Sequence, residues 1–191
     1  MRLNIRHCKE IMNPSAEQII QETENWLEKA VIGLNLCPFA KAVHIKKQVR
    51  YVVSEAGNID LLIETLIAEL ELLAEADPAK IEMTLLMHPR VLGDFMAFND
   101  FLEIADSVLL ELKLDGIFQI ASFHPQYQFA GSEPDDIDNY TNRSPYPTLH
   151  LLREDSIARA VESFPDASVI VDRNIATLRK MGHGGWQKLW L

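Results

Sequence analysis

Three short apolar segments alternate along the chain with two segments of helical period. The apolar segments cover residues 50–54, 81–87 and 117–123, and a glycine or proline follows each one within three residues. Runs ended in this way are typical of short strands. Between them, residues of about 60–76 and 94–113 repeat apolar side chains every three or four positions, as amphipathic helices do. Because strands joined by helical crossovers run in the same direction, this alternation predicts an α/β fold.

Further elements are predicted on both sides of this unit. The sequence Ser15-Ala16-Glu17-Gln18 is a capping pattern that opens a helix before the first strand. Residues 147–152 predict a fourth strand, helices follow over about 154–163 and 172–181, and 169–171 fits either a fifth short strand or a helix. The expected fold is a small, mostly parallel four-stranded sheet covered by helices.

Nothing in the sequence divides the chain into several domains. Its 191 residues are the length of one domain, and no repeat, low-complexity tract or linker interrupts them. We therefore expect a single α/β domain over 12–191. Residues 1–11 are expected to form a disordered tail, and Met12 is an alternative start, because Asn13-Pro14-Ser15 after it is a good helix opening.

Charge and cysteine content exclude several classes of partner. The chain has 18 Lys+Arg against 28 Asp+Glu, a net charge of −10. This excess repels nucleic acid and anionic lipid, so neither is expected as a partner. The longest uncharged apolar run, 30–40, is too short to span a membrane. Cys8 and Cys37 are too few for a disulfide framework and no secretory signal precedes them, so a cytoplasmic location is expected.

Two histidines follow two of the predicted strands. His88 comes directly after 81–87 and His124 directly after 117–123, and a proline follows each. Ligands of open α/β sheets bind at the carboxyl ends of parallel strands, which share one edge. We expect the two imidazoles to act there as general acid and base, with Arg90 holding an anionic group. The alternative, a turn imidazole that bonds a backbone carbonyl, stays open.

Cys37 is a candidate nucleophile. Pro38 suits the first position of a short helix, which would place the thiol beside a helix N-terminus and near the cationic Lys41. Both neighbours favour the thiolate. The alternative is a structural thiol, since cysteine is among the most buried residue types.

A long polar segment, 126–145, has no convincing element of its own, and a loop of this length is often functional. Asn142-Arg143-Ser144, near the end of this segment, lies at the same sheet edge as the two histidines only if the fourth strand runs antiparallel to the third.

Trp186 and Trp190 are expected to dock the tail of the chain. The predicted catalytic residues are Cys37, His88, His124 and His150, and the predicted substrate-binding residues are Arg90, Asn142, Arg143, Ser144 and Arg153.

Several separate motifs stand out along the chain. They are Gly33-Leu34-Asn35-Leu36-Cys37-Pro38-Phe39-Ala40, His88-Pro89, Phe123-His124-Pro125, Asn142-Arg143-Ser144-Pro145-Tyr146-Pro147, His150-Leu151-Leu152-Arg153 and Arg173-Asn174-Ile175-Ala176-Thr177-Leu178-Arg179. Together they resemble a bacterial family filed as domain of unknown function 1415. The resemblance covers the chain from about Ser15 to its end and implies a bacterial, cytoplasmic, single-domain protein without an assigned activity.

Three functions fit these residues. The first is an enzyme acting on a small carboxylate or phosphate, with no cofactor indicated. The second is a zinc- or iron-dependent enzyme or metal-binding protein using Cys37 and histidines, although no two of these residues have the close spacing of structural zinc sites. The third is a non-catalytic module whose acidic helices meet a basic partner. We favour the first because the predicted site has more arginines than a zinc site needs.

Overall fold

The computed structural model describes residues 14–163 and 167–191. The expected disordered tail, 1–11, and the alternative start at Met12 lie outside the described residues.

Four strands form one mixed sheet. They are β1 (Val49–Val53), β2 (Met83–Met87), β3 (Phe118–Phe123) and β4 (Thr148–Arg153), in the spatial order β1-β2-β4-β3. β1 and β2 pair in parallel, whereas β4 pairs antiparallel with both β2 and β3. β1, β2 and β3 therefore point in one direction, and we call the edge at which they end, and at which β4 begins, the carboxyl edge.

The expectation of a mostly parallel sheet is wrong, because β4 lies between β2 and β3 and leaves only β1 and β2 as a parallel pair. The segment between β3 and β4 holds no crossover helix that would carry the chain back to the far edge of the sheet, so β4 starts where β3 ended. The antiparallel direction of β4 places residues 142–144 at the carboxyl edge, near the ends of β2 and β3.

Helices cover both faces of the sheet. The helices are α1 (Ala16–Trp26), α2 (Ala40–Ile45), α3 (Ile59–Glu75), α4 (Phe95–Glu111), α5 (Glu154–Ser163) and α6 (Ala167–Lys188). α1 continues as a π-helix over Leu27–Ile32, and a 3₁₀ helix over Ile137–Thr141 lies within the long polar loop. α6 includes 169–171, which settles the strand-or-helix alternative, and it breaks at Gly182, where φ is 64°.

The helix ends agree with the capping residues in the sequence. Ser15 opens α1 with the predicted capping box: its Oγ accepts from the Gln18 N–H, and the Gln18 side chain accepts from the Ser15 N–H. Asn58 and Asp94 cap α3 and α4 in the same way, each accepting from the backbone N–H three residues on. These caps satisfy N–H groups that have no partner inside the helix.

The alternation of side chains along the strands divides the core into two layers. On one face, Leu86, Leu149 and Leu151 pack with the buried leucines and phenylalanines of α3 and α4. On the other face, Leu85 and Met87 pack with α1. The sheet is therefore the middle layer of three.

None of the helices in the described ranges is long and apolar enough to cross a membrane.

Arg153, predicted to bind substrate, closes the C-terminal end of α3. Its Nη2 donates to the carbonyl oxygens of Leu73, Ala76 and Ile81 at 2.6, 3.0 and 3.3 Å. The guanidinium also lies over the Phe118 ring, 5.4 Å from its centroid. A helix leaves its last carbonyls without partners, and this one arginine satisfies several such oxygens from β4.

We expect Arg153→Met to lower the free energy of unfolding by about 2–4 kcal/mol, because it leaves these carbonyls without a donor while keeping an apolar stem against Phe118. Denaturant titration followed by circular dichroism measures the change. The control is Arg90→Met, which removes an exposed ion pair with Glu55 and should change stability by less than about 1 kcal/mol. Equal stability of the two variants would contradict a capping role for Arg153.

Candidate functional site

The two predicted histidines reach the carboxyl edge, but both are buried there. His88 and His124 have exposed fractions of 0%. Both lie on the α4 side of the sheet, where the Phe98 ring stacks on each imidazole, with centroid distances of 5.5 and 5.1 Å. Their common edge was predicted from strand direction, whereas their burial under α4 was not.

Backbone groups occupy most of the hydrogen-bonding atoms of these imidazoles. His124 Nδ1 accepts from the Gln126 N–H at 3.0 Å, so its Nε2 carries the proton and donates to the Leu92 carbonyl at 3.1 Å. His88 Nδ1 lies 3.0 Å from the Val91 carbonyl. The histidines thereby fasten the segment after β2, in which Leu92 has a φ of 58°, to the end of the sheet. These contacts favour the turn interpretation, and the acid–base roles stay predictions.

Burial sets the protonation of the imidazoles. It lowers the pKa of His88 to about 4 and also lowers the pKa of His124. Both rings are therefore neutral at pH 7, because taking a charge out of water disfavours the imidazolium.

His150 and Cys37 lie elsewhere. His150 is in the middle of β4 on the α1 side, with Nε2 2.9 Å from Met83 Sδ, and burial lowers its pKa to about 4. Cys37 is half-buried beside the π-helix. The expectation that Cys37 adjoins a helix N-terminus is wrong: α2 begins at Ala40, with Phe39 as its N-cap.

The turn before Cys37 is held by α6. Arg173 Nη2 donates to the Asn35 carbonyl at 2.8 Å, and Asn174 Nδ2 donates to the Leu36 carbonyl at 2.8 Å. Asn35 has a φ of 55°, so the turn contains a backbone conformation that tertiary contacts must support. Two separate motifs of the sequence, 33–40 and 173–179, are therefore one structural contact.

The metal alternative has no ligand set in the part of the chain that the structure describes. Within 14–163 and 167–191, no group of three or more His, Cys, Asp or Glu side chains could hold a metal ion. A zinc site needs at least three such side chains within bonding distance of one point.

A cavity of about 380 Å³ opens at the carboxyl edge on the α1 side of the sheet. We call it the rim cavity. Its aromatic lining is Trp26, Tyr140, Trp186 and Trp190, its polar lining is Glu22, Asn25, Arg143 and Ser144, and Pro125 and Pro145 complete it. The chain has three tryptophans, so all of them line this cavity.

Three elements build the rim cavity by simple helical and loop geometry. α1 presents Glu22, Asn25 and Trp26, which lie at spacings of three and four residues and so share one face. The end of α6 presents Trp186, and the turn that follows the helix presents Trp190, again four residues on. The long loop closes the remaining side with Tyr140 and the residues that follow it.

The long loop is ordered around the buried side chain of Asn139. Asn139 Oδ1 accepts from the Phe129 N–H at 3.0 Å and from Ser132 Oγ at 2.7 Å, while its Nδ2 donates to the Glu133 carbonyl at 2.8 Å. Arg179 of α6 also binds the loop through a bidentate ion pair with Asp138, in which Nε donates to Oδ1 at 3.0 Å and Nη2 donates to Oδ2 at 2.6 Å. These bonds hold the loop that forms one wall of the cavity.

Arg143 is the cation of the rim cavity. Its Nε and Nη2 donate to the carbonyl oxygens of Tyr127 and Pro134, and its guanidinium carbon lies 4.4 Å from the Tyr140 ring centroid. Among the described residues, no hydrogen bond engages its Nη1. The side chain is thus held in place while a pair of N–H donors remains for a ligand.

Glu22 is the anion of the rim cavity. Its Oε2 accepts from the Tyr146 hydroxyl at 2.6 Å. Burial, and then the neighbouring Glu22 carboxylate, raise the pKa of Tyr146 to about 12, so that hydroxyl keeps its proton and remains a donor. Tyr146 therefore holds one carboxylate oxygen of Glu22 beside the cavity.

Of the predicted site residues, Arg143 and Ser144 line the rim cavity. Asn142 lies beside it and supports the edge: its carbonyl accepts from the His124 N–H at 3.2 Å. Arg90 pairs with Glu55 at the surface. Sequence reasoning missed Glu22 and Tyr140 and took Trp186 and Trp190 for a docked tail. The signal that marks them is the repeated spacing of four residues, Glu22 to Trp26 and Trp186 to Trp190.

A family model described as "Protein of unknown function (DUF1415)" matches residues 18–188, which confirms the resemblance seen in the motifs. No curated protein and no solved structure matches the chain.

We expect the buried His88 to make the protein less stable in mild acid. The unfolded chain takes up this proton near pH 6.5 and the folded chain only near pH 4, so the free energy of unfolding falls as pH falls between these values. Replacing the ring by His88→Asn, whose amide can still donate to Val91, should reduce the fall between about pH 7 and about pH 5 by about 2 kcal/mol.

Urea titrations at the two pH values measure this effect. The control is His44→Asn, which removes a partly exposed histidine and so separates the effect of burial from the loss of an imidazole as such. An equal fall in wild type and His88→Asn would show that His88 accepts a proton in the folded protein without difficulty.

Proposed function

The chain belongs to the family described as "Protein of unknown function (DUF1415)", and because that description names no activity, we propose from the rim cavity that the protein binds a small organic anion with a flat apolar body. The observation that carries the proposal is Arg143, a guanidinium held by two backbone carbonyls at the wall of an aromatic cavity.

The placement of Arg143 suits a carboxylate or phosphate. Its Nη1 keeps two N–H donors, and a charge-assisted hydrogen bond from a guanidinium to a carboxylate or phosphate oxygen is among the stronger ones in proteins. The Tyr140 ring covers one face of the guanidinium, and a charge-assisted hydrogen bond is stronger where water competes less. The overall charge of −10 does not oppose this, because charges more than about 10 Å away in solvent are largely screened, whereas Arg143 lies at the wall of the cavity itself.

The aromatic side chains suit a flat, apolar body. Trp186 meets Tyr140 and Trp190 edge to face, with centroid distances of 5.1 and 5.6 Å. This arrangement leaves ring faces and edges available to a planar group, which aromatic side chains bind in offset or edge-to-face contact. A cavity of about 380 Å³ is in the range of sites for small organic ligands.

Of the enzyme predicted from the sequence, this proposal keeps only the substrate class, a small organic anion. Arg143 and Ser144 would hold the anion, while Cys37, His88, His124 and His150 are not among the residues that line the rim cavity. Binding is therefore the function that the geometry supports best. A cytoplasmic location and the absence of nucleic-acid and membrane partners belong to the same proposal.

Tryptophan fluorescence tests the proposal directly, because every tryptophan of the chain lines the rim cavity. We expect 3-phenylpropanoate, an anion with a flat ring, to change the emission of the wild type and to bind about tenfold more tightly than its neutral amide. Arg143→Gln should weaken binding of the anion by about tenfold or more and leave binding of the amide unchanged.

The control for loosening of the loop is Arg179→Gln, which removes the grip of α6 on Asp138 without removing a lining residue. It should retain the preference for the anion. The proposal is wrong if the anion and the amide bind alike, or if Arg143→Gln leaves affinity for the anion intact.

A further inference from the structure

The rim cavity presents two opposite charges that do not neutralise each other. Glu22 and Arg143 both line it, yet among the described residues they form no ion pair within 4.0 Å. Arg143 is held by backbone carbonyls, and Glu22 is held by the Tyr146 hydroxyl. Each charge is thus fixed by a neutral partner and presented to the same space.

We propose that the ligand of the rim cavity is a zwitterion of the amino-acid type, with its carboxylate on Arg143, its ammonium on Glu22 and its side chain against the tryptophans. This inference rests on the proposed function. It adds a positive charge on the ligand and names the residue that recognises that charge. Glu22 is the specificity-determining residue, and Tyr146 is its positioning residue.

A singly charged ligand fits this cavity less well. An anion that bonds Arg143 would be repelled by the Glu22 carboxylate, and a cation that bonds Glu22 would be repelled by the guanidinium. A ligand with both charges satisfies both side chains at once. The tryptophan faces also attract an ammonium group through their negative quadrupole, which adds to the pull of Glu22.

The fixed position of Glu22 makes this discrimination specific. Tyr146 lies at the end of the long loop, two residues before β4, and Glu22 lies on α1. Their hydrogen bond therefore joins the long loop to α1, two of the three elements that build the cavity. It engages Oε2, and Oε1 remains to accept from a ligand ammonium. The hydrogen bond from Tyr146 therefore fixes one oxygen of the Glu22 carboxylate beside the rim cavity.

Four phenyl compounds separate the charges without absorbing where tryptophan is excited: phenylalanine, 3-phenylpropanoate, 2-phenylethylamine and 3-phenylpropanamide. In the wild type we expect phenylalanine to bind about tenfold more tightly than 3-phenylpropanoate, and 2-phenylethylamine to bind more weakly than either. Tryptophan fluorescence and isothermal titration calorimetry measure these affinities.

Glu22→Gln should reduce the advantage of phenylalanine over 3-phenylpropanoate to about one, while affinity for 3-phenylpropanoate stays the same or rises. Tyr146→Phe should reduce the same ratio partly, which a general loss of stability would not do. The matched control is Glu24→Gln, a change of equal charge on the same helix at a residue that does not line the cavity, and it should keep the wild-type ratio.

The outcomes separate this inference from the proposed function. Binding of 3-phenylpropanoate with no advantage for phenylalanine, or an advantage that persists in Glu22→Gln, would overturn the zwitterion and leave the anion site standing. Failure of both compounds to bind would overturn the proposed function and the zwitterion with it.

Discussion

The structure depends on the pairing of β4 between β2 and β3. This one strand joins the parallel pair to β3, satisfies the backbone of both neighbours, and carries Arg153 to the open end of α3. Because β4 begins at the carboxyl edge, the long loop before it must end there as well. The rim cavity exists because that loop, α1 and the last turn of α6 meet at the place where β4 starts.

The arginines and histidines of the chain show how burial and local partners decide the role of a side chain. Arg153 and Arg143 have the same chemistry, yet Arg153 donates from Nη2 to carbonyl oxygens at the end of α3, whereas Arg143 lines the rim cavity. The histidines at the carboxyl edge bond backbone carbonyls and stack on Phe98, so they hold the edge together beside the cavity. A charged residue becomes a ligand-binding residue only when the fold leaves part of it unsatisfied and accessible.

Much of the fold was predictable from local pattern. Capping residues, helical periods and the glycine and proline stops placed the strands and most helix ends within a few residues, because these signals act over a few neighbouring positions. The order of strands was not predictable in this way, since a loop without a crossover helix permits either direction for the strand after it. The same limit applies to the turn before Cys37, which is held by Arg173 and Asn174 from 138 residues further along the chain.

Short-range patterns in the sequence are sufficient to predict the α/β order of elements and two strands that point the same way and end at His88 and His124. The burial of those histidines under α4, and the grouping of Arg143, Glu22 and three tryptophans around one cavity, arise from tertiary packing. The cause is separation along the chain. Glu22, Arg143 and Trp186 are more than forty residues apart in sequence, and only the packing of α1 and α6 on the edge made by β4 brings them together.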